Sequence, residues 1–306
     1  MRNRRWVDQI PQRQSRGDEM EIIFQQILNG VIIGSVYCLI ALGLTMIFGI
    51  LEVTNFAHGE IYMIGAYTSL FITSQLEIHF LLSLLIAMAV VGVLGVFIER
   101  VVFRPILGKP MINGMLLSFG LSIFLTNLAL LLFKADPRKI ESGYSQVRLT
   151  FAGLQLTLER LMVIIVSTLL VIALYFFIQK TKLGKAMRAV TQDREAAQLA
   201  GVSISNIFAL TFAMGCSLAA AAGSLGGALF TVYPSMGWTP VLKSFVVVIM
   251  GGFGNVAGAI IAAMLLGLTE SLCGGFISYA YKDAYAFLLL VVVLLIKPEG
   301  IVGGRG

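Results

Sequence analysis

Gly43-Leu-Thr-Met-Ile-Phe-Gly49, running into Asn55-Phe-Ala-His-Gly-Glu60, is a polar cluster with glycine breaks set inside apolar sequence. Long apolar runs flank it, so the surrounding chain reads as membrane helix. Charge and irregular backbone persist at membrane depth only where protein or a water-filled path encloses them. The stretch therefore predicts a helical membrane bundle with a route through it.

Composition agrees. Of 306 residues, 58% are hydrophobic and 12% are charged, against about 25% charged in a soluble domain. The runs 111–133 and 161–178 carry no charge at all. At about 1.5 Å per residue, each is long enough for, or close to, a hydrocarbon layer roughly 30 Å thick. Spans are expected near 22–40, 41–53, 61–73, 81–98, 111–133, 161–178, 204–230, 241–249, 256–272 and 284–296. The runs 41–53 and 241–249 are too short to cross alone and read as halves of discontinuous helices. The predicted fold is an all-α, polytopic transmembrane bundle of about 8–10 segments. It occupies residues 21–306, behind a polar, basic extension over residues 1–20 that is either a cytosolic tail or a start-site artefact with Met20 as initiator.

The net charge of +6 does not indicate nucleic acid, because the basic residues fall in short connections between apolar runs. Arg100, Arg104 and Lys109 form one such connection, and Lys180, Lys182, Lys185, Arg188 and Arg194 another. Two spans lie between them, so both face one side, which the positive-inside rule makes cytoplasmic. The connection 134–160 is then external despite Lys134, Arg138, Lys139, Arg148 and Arg160, and both chain ends come out cytoplasmic. Cys38, Cys216 and Cys273 lie in or beside apolar runs without a CxxC pair and read as small buried hydrophobes. Gly30-x-x-x-Gly34, Gly223-x-x-x-Gly227 and Gly254-x-x-x-Gly258 are each expected to put two glycines on one helix face for close packing.

Three places carry candidate function. Asn55, His58 and Glu60 bring an amide, an imidazole and a carboxylate within a turn and a half. They read either as a polar lining of the route or as a connector near the cytoplasmic end that caps two helices. Gly251, Gly252, Gly254 and Asn255 predict a second helix break whose freed backbone groups face a cavity or another helix. No GxxxxGK[ST] occurs, so the chain does not bind ATP through a P-loop. No catalytic group, cofactor or metal set is predicted. In Gly184–Gly201, Asp193 is a fitting N-cap for a short helix that Gly201 ends. That helix is either a solvated loop helix or a surface for a soluble partner.

Several of these segments carry a resemblance. Asn29-Gly-Val-Ile-Ile-Gly-Ser35, Gly49 through Asn55-Phe-Ala-His-Gly-Glu-Ile-Tyr-Met-Ile-Gly-Ala66 and Ile98-Glu-Arg-Val-Val-Phe-Arg-Pro105 are similar to the LivH-type permeases of branched-chain amino-acid ABC importers. So are Gly184 to Gly201, Met250-Gly-Gly-Phe-Gly-Asn255 with Gly258-Ala259, and Lys297-Pro-Glu-Gly-Ile301. The resemblance runs from about Glu21 to Ile301. It implies a multi-pass inner-membrane subunit that works with a second, LivM-like permease, two cytosolic ABC ATPases and a periplasmic solute-binding protein. It implies further that Arg194, Glu195, Ala196, Ala197 and Gly201 form the ATPase-docking loop, and that the cargo is a branched-chain amino acid, another amino acid, urea or a short amide. Aromatic Tyr233 and Trp238 would lie outside, toward the binding protein. The competing class is a proton-coupled transporter using Glu52, Glu60 or Glu270, acids that stand isolated in the sequence; a passive channel for a small polar solute is a third.

Overall fold

The computed structural model describes residues 16–151 and 154–303; most of the polar extension expected over 1–20 lies outside the described residues. Eleven α-helices are described: α1 Arg16–Leu51, α2 His58–Gln75, α3 Phe80–Ile98, α4 Met111–Phe133, α5 Leu158–Lys180, α6 Lys182–Gln192, α7 Arg194–Leu199, α8 Ile204–Leu229, α9 Trp238–Gly251, α10 Val256–Phe276 and α11 Lys282–Ile296. A π-helical turn, Glu99–Phe103, extends α3. A hairpin of β1 (Arg148–Phe151) and β2 (Leu154–Thr157) lies between α4 and α5, pairing Arg148 with Thr157 in antiparallel register. Among the described residues, seven helices are long and apolar enough to cross a membrane. This is the all-α, multi-pass bundle that the sequence predicts.

The expected break between residues 40 and 41 is absent, because α1 runs unbroken for 36 residues. Its glycines are packing surfaces rather than breakers. A Cβ on Gly43 would stand 2.6 Å from the Gly215 carbonyl oxygen and 2.9 Å from His58 Nε2, and one on Gly49 would stand 2.8 Å from Gly254 Cα. In lipid, such small-residue contacts supply the close backbone approach that holds helices together. Gly30 and Gly34 likewise both face α10, as their spacing predicts. The 254–258 pair does not share a helix face: Gly254 lies in the turn before α10 and meets Gly49, whereas Gly258, inside α10, meets Gly251.

The real discontinuity follows α1. Glu52 has φ 58°, and the chain is non-helical until α2 begins at His58. This linker climbs the side of α4. The Thr54 carbonyl accepts from Ser118 Oγ, seven residues into α4, and Glu60 Oε1 accepts from Thr126 Oγ1, two turns further along. His58 therefore starts a helix inside the bundle, and the connector reading, which put this segment at an end, fails. The Asn55, His58 and Glu60 side chains are all buried.

Unbroken α1 also changes the position of the amino end. Glu52, Lys109 and Arg194 line one hollow, so the end of α1 and both basic connections share one end of the molecule, the basic end. Toward the other end of α1, Asn29 accepts a hydrogen bond from Arg160 in the first turn of α5, which follows the 134–160 connection expected on the opposite side. The carboxyl-terminal residues return to the basic end, where the Ile301 amide donates to the Met250 carbonyl. The described start of α1 and the described carboxyl-terminal residues thus lie toward opposite faces, not toward the one face that parity over two separate spans implies.

Helices α1, α2, α8 and α10 form the centre. The stretch Cys38–Leu44 of α1 is sealed on all sides, and α8 buries Ala219–Ala222 where its small side chains let α2 approach. By contrast, α11 buries Ala286 alone among its residues, and α4 and α5 leave most of their apolar surface open. Those faces suit lipid or another helix.

Candidate functional site

Two cavities lie on either side of the sealed stretch of α1. The first, about 620 Å³, is lined by Tyr37 and Val36 of α1, by Lys243 of α9 and by Glu270 of α10, with Arg160 and Lys282 at the end opposite the basic one. The second, about 570 Å³, opens at the basic end between Thr45 and Met46 of α1, Arg188 of α6 and Asn255. One rotation of α1 separates Tyr37 from Ile40 and two separate it from Leu44, so the barrier between the cavities is about 10 Å of packed helix. This arrangement has a pocket at each end and a closed middle.

Sequence reasoning missed the chemistry of the first cavity. Lys243 Nζ lies 2.6 Å from Glu270 Oε1 and 3.0 Å from Asp283 Oδ1. Glu270 Oε2 accepts a 3.0 Å hydrogen bond from the Tyr37 hydroxyl. Lys243 and Glu270 are almost fully enclosed; Asp283 is the exposed member. Four helices, α1, α9, α10 and α11, are tied at this point. Glu270 is thus not the isolated acid that the sequence suggests, and neither is Glu52, which lies 3.4 Å from Arg194. A single lysine in the run Val241-Leu-Lys-Ser-Phe-Val246 was the available signal, because charge inside an apolar segment requires a partner.

The predicted breaks do not merge into one path. His58 packs against Gly43 of α1, whereas Gly254 packs against Gly49, nearly two turns away toward the basic end. Gly251–Asn255 is a tight turn there. Gly252 and Gly254 have φ 97° and 74°, and the Asn255 side chain accepts from the Gly258 amide to cap α10. Of this set, Gly254 and Asn255 line the second cavity, and Gly252 is covered by the carboxyl-terminal Gly300. At the other break, Thr126 binds Glu60, so Glu60 does not fold back onto His58; Asn55 is fully enclosed with neither amide atom hydrogen-bonded. A buried, unpaired amide costs about 1–3 kcal/mol, and the fold keeps it where the backbone itself is interrupted.

At the basic end, Asp193 caps α7 as expected, accepting from the amides of Glu195 and Ala196 at 2.9 and 3.0 Å. Gly201, at φ 84°, reverses the chain after it. The residues divide by direction. Ala197 is buried, and Arg194 turns inward, donating to the Ile50 carbonyl at 3.0 Å and lying over the Phe208 ring. Glu195, Ala196 and Gly201 face outward, and Leu199 is 91% exposed. The short helix is thus fixed to α1 on one side and exposes Glu195, Ala196 and Leu199 on the other. The aromatic pair expected outside is split: Tyr233 lines the first cavity, but Trp238 begins α9 edge-on to Phe119 of α4, within the height of the bundle.

Comparison with known proteins places this architecture. The family described as "Branched-chain amino acid transport system / permease component" matches residues 26–295. The permease LivH of the high-affinity branched-chain amino acid transport system of Escherichia coli (strain K12) is 37% identical, over 91% of this chain and 95% of LivH. BraD of Pseudomonas aeruginosa, named as a permease of the same kind of system, is 36% identical over the same shares. LivM of Salmonella typhimurium is 24% identical over 87% of this chain and 67% of its own length. With a family match across nearly the whole bundle and relatives above 30% identity along almost their full length, the chain belongs to the permease components of branched-chain amino acid transport systems.

Proposed function

We propose that this chain is one of two permease subunits of an ABC importer in the bacterial inner membrane, with a branched-chain amino acid as its cargo. The observation that carries this reading is the joint one at α7. A capped helix, held inward by Arg194 and exposed outward at Glu195, Ala196 and Leu199, sits in a chain whose relatives are LivH and BraD. The basic end faces the cytoplasm, in keeping with the positive-inside rule. One of two ABC ATPases engages α7 there, the other serves the second permease, and a periplasmic solute-binding protein delivers cargo at the other end. The second permease is LivM-like, which the weaker relationship to LivM supports.

Mechanically, ATP-driven movement of the ATPases reaches α1 through Arg194, because that side chain donates to the Ile50 carbonyl in the last turn of α1. α1 contributes to both cavities and to the barrier between them. A shift of this helix opens one cavity as it closes the other, the rigid-body form of alternating access. ATP hydrolysis belongs to the partners.

The test is reconstitution with the partner permease, ATPases and binding protein in vesicles, with leucine and urea uptake measured with and without internal ATP. ATP-dependent leucine uptake is expected. Uptake driven by a proton gradient and indifferent to ATP would replace this reading with a secondary transporter, and ATP-dependent uptake of urea alone would replace the cargo.

A further inference from the structure

The second cavity, about 570 Å³ at the basic end, is lined in part by the last turns of α5 and by α6. Among the described residues, Arg188 is the one charged side chain that lines it, and no carboxylate does. Tyr175 and Phe253 border the cavity and are 53% and 52% exposed, so it opens where α5 presents its bare apolar surface. Lys180, the last residue of α5, follows Tyr175 by five positions, about 8 Å of helix. Lys180, Lys182 and Lys185 are exposed there, and none pairs with a carboxylate among the described residues. An aromatic ring below a row of cations is the pattern of a membrane–water interface.

Local structure accounts for only part of Arg188. Gly184 leaves no room for a side chain beside the Phe177 and Ile178 carbonyls, so α6 turns back tightly on the end of α5. Arg188 Nη1 then caps α5, donating to the Ile178 carbonyl and, at 3.0 Å, to Gln179 Oε1. That cap uses one nitrogen. Nε and Nη2 have no partner among the described residues, and the fork of a guanidinium matches phosphate oxygens. On the α1 side of the cavity, Thr45 is fully enclosed and its hydroxyl has no hydrogen-bond partner. A buried hydroxyl in that state is costly unless something in the cavity binds it.

Three kinds of surface therefore meet in one space: a cationic edge, an enclosed hydroxyl, and an apolar wall of Met46, Ile50, Ile178 and Ile260. A soluble anion would use only the first. A solvated basic loop, the commoner use of such charge, would need neither the wall nor the hydroxyl. A molecule with a phosphate, ester carbonyls and acyl chains uses all three, and basic pockets between helices on the cytoplasmic side suit anionic headgroups.

We propose that the second cavity seats one anionic phospholipid of the cytoplasmic leaflet. Its phosphate lies on the free edge of Arg188, an ester carbonyl accepts from the Thr45 hydroxyl, and an acyl chain covers the apolar wall. Lys185, three residues before Arg188 and on the same side of α6, adds to the positive potential that selects an anionic headgroup. The site goes beyond the importer reading and takes from it only the cytoplasmic side of the basic end. In that cycle the lipid leaves as α1 closes the cavity, which ties closure to the composition of the leaflet.

Quenching by brominated lipid tests this. Tyr175→Trp places a fluorophore at the cavity mouth, and the signal read is the difference in emission between this variant and the parent importer. The assembled importer is placed in phosphatidylcholine nanodiscs with a rising fraction of dibromo-phosphatidylglycerol or, separately, dibromo-phosphatidylcholine. Phosphatidylglycerol should reach half-maximal quenching at about a tenfold lower mole fraction than phosphatidylcholine, equivalent to about 1.4 kcal/mol. Arg188→Gln should bring the two curves together. Lys185→Gln should narrow the gap about threefold, in keeping with the worth of one cation near an anionic leaflet. Lys109→Gln removes a cation from the separate hollow at the same end and should leave the gap unchanged.

Coincident curves in the parent background would overturn the proposal. Equal narrowing by Lys109→Gln would do so too, because it would mean general attraction to a basic surface. Loss of the preference in excess inorganic phosphate would replace the lipid with a soluble anion. If Arg188→Gln does not assemble, the contrast between Lys185→Gln and Lys109→Gln decides, and Phe253→Trp serves if Tyr175→Trp does not fold. Quenching needs neither ATP nor cargo, so the two readings fail separately. Selective quenching without ATP-driven uptake keeps the site and removes the importer, whereas ATP-driven uptake with coincident curves removes the site and keeps the importer.

Discussion

Arg194→Ala should uncouple ATP hydrolysis from transport while leaving the bundle intact. Arg194 is the side chain through which α7 holds the end of α1. It makes a charge-assisted hydrogen bond to the Ile50 carbonyl at 3.0 Å, an ion pair with Glu52 at 3.4 Å and a contact over the Phe208 ring at 5.4 Å. A hydrogen bond from a charged group contributes about 1.5–3 kcal/mol. The ion pair contributes about 0–1, and toward the low end here, because Glu52 is 72% exposed. The ring contact adds about 0.5–1. These overlap, since one guanidinium makes all three, and about 2 kcal/mol is a fair net loss, or roughly 30-fold in the ratio of docked to undocked α7. Leucine accumulated per ATP hydrolysed, measured with matched uptake and phosphate-release assays in proteoliposomes, should therefore fall by about 5- to 30-fold. Arg194→Lys keeps a charge but loses the planar fork that serves carbonyl and carboxylate together, so an intermediate loss is expected. Glu52→Gln should change the ratio less than twofold, as befits an exposed pair. Wild-type leucine-to-ATP ratios in Arg194→Ala would refute the coupling role. Equal damage from Glu52→Gln would move the energy from the carbonyl bond to the ion pair.

Lys243→Met should cost about 3–5 kcal/mol by stranding Glu270, whereas Lys243→Met with Glu270→Leu should recover most of the thermal stability; detergent melting curves of the four cycle members decide it, and additive losses would count against a coupled pair. Gly254→Val should lower the yield of folded permease, because a β-branched residue is forced to φ 74° against Gly49; size-exclusion yield unchanged from wild type would contradict that. Asp193→Ala should cost about 0.5–2 kcal/mol of α7 stability and weaken copurification of the ATPases, and full copurification would separate the cap from docking.

What the sequence made legible was local. Asp193 and Gly201 bound α7 by rules that need only neighbouring residues, and the charge-free runs 111–133 and 161–178 emerge inside α4 and α5. Gly43 and Gly49 of α1 do not mark the break that the sequence suggests, because their meaning lies elsewhere in the chain. Gly43 is explained by Gly215 and His58, and Gly49 by Gly254. From sequence alone a glycine at a helix crossing and a glycine at a break look the same. The true break, at Glu52–Ala57, was nearby but has no glycine within it, and it is sustained by α4 through Ser118 and Thr126. One misplaced break then moved the amino end to the wrong face, since orientation is read by parity.

The polar site was hidden for the same reason. Glu270 stands out in the sequence as an intramembrane acid, but Lys243 does not draw attention as its partner, because it lies 27 positions earlier across a tight turn. Only the antiparallel return of α10 along α9 brings them together, and only the start of α11 adds Asp283. The turn that makes this possible is Gly251–Asn255, itself singled out from sequence as part of the path. It does not line the pocket that holds the charges. Its role is geometric: Gly252 and Gly254 fold α9 back on α10, and that hairpin sets a lysine against a glutamate where neither would persist alone. The glycine motif and the charge cluster are therefore one device, and a change that opens the turn should also disorder the cluster. Gly254→Ala offers the milder probe. A smaller loss of thermal stability from Lys243→Met in that background than in the wild type, with the permease still folded, is the expected result; an undiminished loss would show that the cluster holds its geometry without the turn.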